Sequence, residues 1–185
     1  MAILAVGNSG ATLRAGMLLR ILALVMLLTF ALACGGTHGG GGPEGTVARV
    51  LDGDTIVLAD GRHVRLVQLD APEIDEDECY AQAAKRVLAR LLTPGTEVDI
   101  ETDAALDRVD RYGRTLAYLK KDGTNINLEL VREGAAAPWF YDGERGRYAG
   151  LLLGTARRAK EHDRGLWGAC PGTVLDPLHS VEALH

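Results

Sequence analysis

Residues 46–73 read TVARVLDGDTIVLADGRHVRLVQLDAPE. Two β-rich runs, Thr46–Val50 and Thr55–Leu58, flank Asp52-Gly53-Asp54, and an Asp-Gly pair between such runs predicts a tight hairpin. A second pair, Asp60-Gly61, turns the chain into a third strand over His63–Leu69. Three strands therefore arrive early, in meander order. Beyond them, Ala84, Val87, Leu88, Leu91 and Leu92 recur at helical spacing within Tyr80–Leu92, while Gln82, Lys85, Arg86 and Arg90 take the opposite face, and Pro94-Gly95 stops the helix. Glu97–Glu101 and Arg114–Lys120 supply two more strands, the second turning at Lys121-Asp122-Gly123. Asn127 is expected to cap a short helix running through Arg132, with Gly134 as its stop. A last helix near Glu144–His162 should bury Tyr148, Leu151, Leu152, Thr155 and Ala159, leaving Arg157, Arg158 and Lys160 mostly off that stripe. Strands first, then strands mixed with helices, predict an α+β fold built on a small, partly closed barrel.

A length of 185 residues allows one globular unit and little else. Residues 1–34 hold only two of the twenty basic residues, Arg14 and Arg20, and no acid, which leaves a net charge of −7 on the rest. Ile21–Ala33 is an unbroken run of uncharged, almost wholly apolar residues that rises about 20 Å as a helix, short of the roughly 30 Å hydrocarbon core, so it reads as a signal-peptide core. Met17 begins a shorter, more typical signal. Ala31-Leu32-Ala33-Cys34-Gly35-Gly36 resembles a bacterial lipobox, which implies export and a lipid on Cys34 that anchors the chain to the membrane. Simple secretion and an uncleaved anchor are the alternatives. Residues 35–43, rich in glycine, are expected to form a flexible tether. The folded unit is then 44–170, and 171–185 a C-terminal tail that trails off by about residue 176.

With Cys34 lipidated, Cys79 and Cys170 remain as an even pair in an oxidising compartment, either joined in a disulfide or present as two buried thiols. The two lie far apart in sequence and the five histidines show no ligand spacing, which disfavours zinc.

Three clusters place charge at turns or strand ends: Asp52-Gly53-Asp54-Thr55, Arg65 through Asp70-Ala71-Pro72-Glu73, and Asp110-Arg111-Tyr112-Gly113-Arg114. Singly, each has a plainer reading: a hairpin turn, a structural ion pair of Arg65 with Asp70 or Glu73, and a solvated turn. In this order and spacing they resemble the staphylococcal (micrococcal) nuclease family, the thermonucleases, from about Val47 to Gly134 and less clearly to Trp167. The resemblance implies a five-stranded OB-fold barrel with about three helices, and calcium-dependent cleavage of DNA and RNA.

Hydrolysis of a phosphodiester needs an activated water, positive charge around the phosphoryl oxygens and usually a metal. Asp54 and Asp70 are hard oxygen donors suited to Ca²⁺, and the resemblance makes them ligands of one ion, with the main-chain carbonyl of Ala71 as a third. The family often has Thr at that position, and Gly and Glu at the positions of Ala81 and Ala83. Glu73, behind the rigid Pro72, matches the general base. Arg65 and Arg114 match arginines that stabilise the phosphoryl charge; Arg111 and Tyr112 match residues that contact a terminal phosphate. Trp139, Phe140 and Tyr141 read chiefly as core or a barrel lid, with base stacking as the alternative, and Trp167 is expected beside the cysteine pair.

A net charge of −7 argues against strong non-specific affinity for polyanions, so attraction must be local, supplied by Ca²⁺ beside Arg65 and Arg114. The expected protein is thus an exported, monomeric nuclease with DNA and RNA as substrates. A non-catalytic OB-type binding module and a structural envelope lipoprotein are the competing expectations.

Overall fold

A computed structural model describes residues 44–183. The signal segment 1–34 with its Cys34, the tether 35–43 and the last two residues lie outside the described residues. No helix among the described residues is long and apolar enough to cross a membrane.

Strand β1 (Glu44–Val50) pairs antiparallel with β2 (Thr55–Leu58), and β2 with β3 (His63–Leu66). On its other edge β1 pairs with β5 (Glu97–Glu101), and β5 with β6 (Thr115–Lys121). A parallel pairing of β3 with β6, Arg65 opposite Leu116, closes the five strands into a barrel. Two-residue strands complete the set: β7 (Thr124–Asn125) against β6, and β4 (Leu69–Asp70) against β8 (Ala137–Pro138). Helices α1 (Ala81–Leu91), α2 (Ile126–Glu133) and α3 (Ala149–Glu161) pack on it, with a single turn α4 (Leu166–Ala169) behind. This is the expected α+β barrel with three principal helices. Its core joins barrel residues such as Ile56, Val64, Ile100 and Leu119 to the apolar stripes of the helices, Leu88 of α1, Leu130 of α2 and Leu152 of α3.

Several local expectations change. Gly53 does not supply a positive φ for a two-residue turn. Four residues, Leu51 to Asp54, link the strands, and Gly53 is needed for closeness: a Cβ there would lie 2.5 Å from the Cβ of Ala71 and 2.9 Å from that of Ala84. Strand β3 ends at Leu66 because Gln68 turns left-handed, φ 65°. The cap of α2 is Asn125, whose side chain accepts from the Leu128 amide; Asn127 is buried and instead ties α2 to the barrel, donating to Val67 O and accepting from Leu119 N. Helix α3 starts only at Ala149 and buries Ala149, Leu152, Ala156 and Ala159, leaving Leu151 exposed.

Cys79 and Cys170 are joined by a disulfide, Cα–Cα 5.8 Å. Trp167 packs in the same apolar cluster, as expected. The tail does not trail off: Val181 and Ala183 are buried in that cluster, Cys79 N–H donates to Ala183 O (2.9 Å) and Phe140 N–H to Pro177 O (2.7 Å).

Candidate active site

Asp54, Arg65, Asp70 and Ala71 converge at one end of the barrel. The backbone does this before the side chains act: Leu66 N–H on β3 donates to Asp54 O (2.8 Å), which sets the β1–β2 loop against Arg65. Asp70 follows on β4, which the left-handed Gln68 redirects away from the barrel ladder. The Arg65 Nη2 then lies 2.9 Å from Asp54 Oδ2 and 2.6 Å from Asp70 Oδ1, while Nη1 donates to the carbonyls of Leu66 and Leu69. Each of the three side chains is almost fully buried. Ala71 N–H donates to Asp54 Oδ2 (3.0 Å), Thr55 Oγ1 to Asp54 Oδ1 (3.0 Å) and Val181 N–H to Asp70 Oδ2 (3.0 Å).

Two buried carboxylates share one guanidinium, so the cluster is short of positive charge. Burial, only partly offset by Arg65, pushes the Asp54 carboxyl up to about 8, with Asp52 and Asp70 adding to the rise. Burial raises Asp70 as well, against the pull of Arg65 and of the Val181 amide. The same surroundings hold the Arg65 guanidinium charged: its own desolvation is outweighed by Asp54 and Asp70.

Glu73 sits apart from that core, at the exposed exit of the loop, where its N–H donates to Glu78 Oε2 (2.6 Å). Partial desolvation raises its carboxyl above the usual range, and the charges of Asp70 and Asp52 raise it further. That keeps Glu73 electrostatically within the acidic cluster and makes it a better proton acceptor than an ordinary surface glutamate.

The parallel β3–β6 pairing brings the third cluster alongside. Asp110 organises it: Oδ1 accepts from the amides of Tyr112 and Arg114, both 2.9 Å, and Oδ2 pairs with Arg114 Nε (2.6 Å). Partial burial of Asp110 is outweighed by these bonds, which hold its carboxyl below the usual range. Arg111 donates to Tyr112 Oη (2.7 Å), and both Arg111 and Arg114 lie over the Tyr112 ring. Arg65, Arg111, Tyr112 and Arg114 line one cleft of about 340 Å³, and so do Trp139 and Tyr141, edge to face at 5.7 Å. Phe140, between them in sequence, is core. Asp54, Asp70, Ala71 and Glu73 do not line this cleft; Arg65 is the residue common to it and the carboxylate cluster.

Among the described residues no group of three or more His, Cys, Asp and Glu side chains is arranged as a metal site. The donor chemistry nevertheless suits a hard cation. Asp54 and Asp70 are two buried oxygen donors that, once both are ionised, carry one negative charge more than Arg65 balances, and calcium draws further ligands from carbonyls and water.

Gln68 and Val181 gave no signal in the sequence. Buried Gln68 accepts from Gly146 N (2.8 Å) and donates to Glu144 O (2.9 Å), bracing the cleft wall, and a left-handed glutamine is the kind of strained residue found at functional sites.

The family model described as staphylococcal nuclease homologue matches residues 63–169. The chain is similar to an uncharacterized endonuclease of Escherichia coli, 33% identical over 148 residues that cover 78% of this chain and 86% of the relative. It is similar to a thermonuclease of Staphylococcus intermedius, 34% identical over 128 residues, 65% of this chain and 74% of the relative. A third relative, endonuclease YhcR of Bacillus subtilis, is 34% identical over 141 residues, 67% of this chain but 11% of that longer protein.

Proposed function

The chain belongs to the staphylococcal nuclease family, and from that premise we propose that it is a calcium-dependent endonuclease acting on DNA and RNA and leaving 3′-phosphorylated products. One observation carries the reading: the buried Asp54–Arg65–Asp70 cluster, one positive charge short of balancing two ionised carboxylates, adjoins through Arg65 a cleft lined by Arg111, Tyr112 and Arg114. Asp54 and Asp70, with the carbonyl of Ala71, would hold the ion. When bound, calcium supplies the missing positive charge and polarises the phosphate.

The remaining roles belong to the chain. Glu73 takes a proton from the attacking water; the water oxygen bonds to phosphorus, the bond from phosphorus to the 5′ oxygen breaks, the leaving oxygen takes a proton from solvent water, and Glu73 returns its proton to solvent. Arg65 and Arg114 donate hydrogen bonds where negative charge accumulates on the phosphoryl oxygens. Arg111 and Tyr112 bind a terminal phosphate. We further propose that the protein is monomeric and exported, tethered by lipid on Cys34; the lipobox-like Ala31-Leu32-Ala33-Cys34-Gly35-Gly36 supports the export and the anchor.

Digestion of single- and double-stranded DNA with calcium or with chelator tests the proposal, comparing the native protein with Glu73→Gln. Calcium-dependent cleavage, reduced several powers of ten by Glu73→Gln with KM little changed, is the expected outcome. Equal turnover in the variant removes Glu73 from the mechanism, and binding without cleavage returns the protein to a non-catalytic module.

A further inference from the structure

The segment 171–183 leaves the fold at the Cys170 disulfide and returns to the other half of the same bridge, where Cys79 N–H meets Ala183 O at 2.9 Å. Between those points it is held by Lys160 Nζ on Thr173 O (3.0 Å) and by the Phe140 N–H on Pro177 O. Val181, 6% exposed, packs its side chain with Trp167 and the disulfide, and this presents its N–H to Asp70 Oδ2. That is the one hydrogen bond to this oxygen among the described residues; the other oxygen faces Arg65.

We propose that the backbone N–H of Val181 is a positioning donor of the cation site, so that the C-terminal segment is a working part of the active centre. The proposal rests on the calcium-nuclease reading. An ionised carboxylate offers about four acceptor positions, so one amide donor fixes its rotation while leaving lone pairs for an ion. Without that donor the only strong partner of Asp70 among the described residues is Arg65, and the carboxylate is free to turn both oxygens toward the guanidinium. Hydrogen bonds of this outer kind are worth tenfold to hundredfold in metal affinity. A blocking role for the segment fits the structure less well: no residue of 171–183 lines the phosphate cleft, and the contact with Asp70 is a single amide with no side chain inserted.

The test is titration calorimetry with Ca²⁺ alone on the full chain, with thermal unfolding as a check of folding. Val181→Pro, which removes the N–H, should weaken calcium binding by about tenfold to a hundredfold. Turnover at saturating calcium should be largely restored, so the defect appears in the calcium requirement. Val181→Ala keeps the amide while trimming the packing that presents it, and should bind calcium more tightly than Val181→Pro. If proline unfolds the chain, a semisynthetic protein joined at Cys170, with an ester in place of the Val181 amide, gives the same comparison without altering φ. Unchanged affinity in the proline variant or the ester overturns the proposal, and tighter binding assigns the segment a blocking role. A native protein that cleaves DNA with calcium while these variants bind as it does defeats this inference alone. A native protein that neither binds calcium nor cleaves defeats the nuclease reading and the positioning role with it.

Discussion

Replacing Arg65 by Met removes the one cation that, among the described residues, is paired with Asp54 and Asp70, while keeping an apolar stem of similar length. Both carboxyls are almost fully buried, so neither can exchange the guanidinium for water. The escape is protonation. Asp54, already pushed up to about 8, is largely protonated at pH 7 in the ion-free native protein, so the new cost falls on Asp70, whose ordinary value is 3.8. Holding a proton on such a carboxyl costs about 4 kcal/mol at pH 7 and about 2 kcal/mol at pH 5, from 1.36 kcal/mol per pH unit. That agrees with the roughly 3–5 kcal/mol found when one partner of a buried ion pair is deleted. The sign for the native protein follows from the same groups. A carboxyl raised on folding contributes its full stability below its unfolded value near 4, and that contribution is lost as pH rises toward 8. Urea unfolding in chelator at pH 5, 7 and 8, followed by circular dichroism, should show a penalty for Arg65→Met that grows by about 2–3 kcal/mol between pH 5 and pH 7. A penalty that is equal at both pH values, or absent, refutes the charge argument and reduces Arg65 to packing.

Calcium binding at pH 7 should release a proton, because Asp54 must ionise to act as a ligand; calorimetry in buffers of different ionisation heat reads this, and no buffer dependence would contradict the raised carboxyl. Gly53→Ala puts a methyl group into Ala71 and Ala84 and should cost about 1–3 kcal/mol by urea unfolding, with weaker calcium binding through displaced Asp54; a variant as stable as the native protein would show that the loop yields freely. Replacing Cys79 and Cys170 together by Ser should cost on the order of 4 kcal/mol and loosen residues 171–183, which hydrogen exchange at the Val181 amide would report as lost protection; retained protection would mean that packing alone holds the segment.

Turn chemistry and periodicity are local, and where they governed the structure the sequence was enough. Asp60-Gly61, Pro94-Gly95 and Asp122-Gly123 turn the chain as their residue types require, β5 spans Glu97–Glu101 as read, and α1 buries Ala84, Val87 and Leu88 of the predicted stripe, with Leu91 half-buried and Leu92 buried just past its end. The order of the three charged clusters carried the family, and with it the barrel and the candidate residues. Local signals failed where distant packing outweighed them. Gly53 looks like a turn glycine but serves contact with Ala71 and Ala84, Asn127 looks like a cap but is a buried tie, and Leu151 sits at helical spacing yet faces solvent because α3 buries the stripe through Ala149, Leu152, Ala156 and Ala159. Only the tertiary structure closed β3 on β6, set Arg65 between two carboxylates and brought the Val181 amide to Asp70, 111 positions away. Such pairings follow from which surfaces are buried together, and a backbone donor carries no side-chain signature, so nothing in the local order of residues announces them.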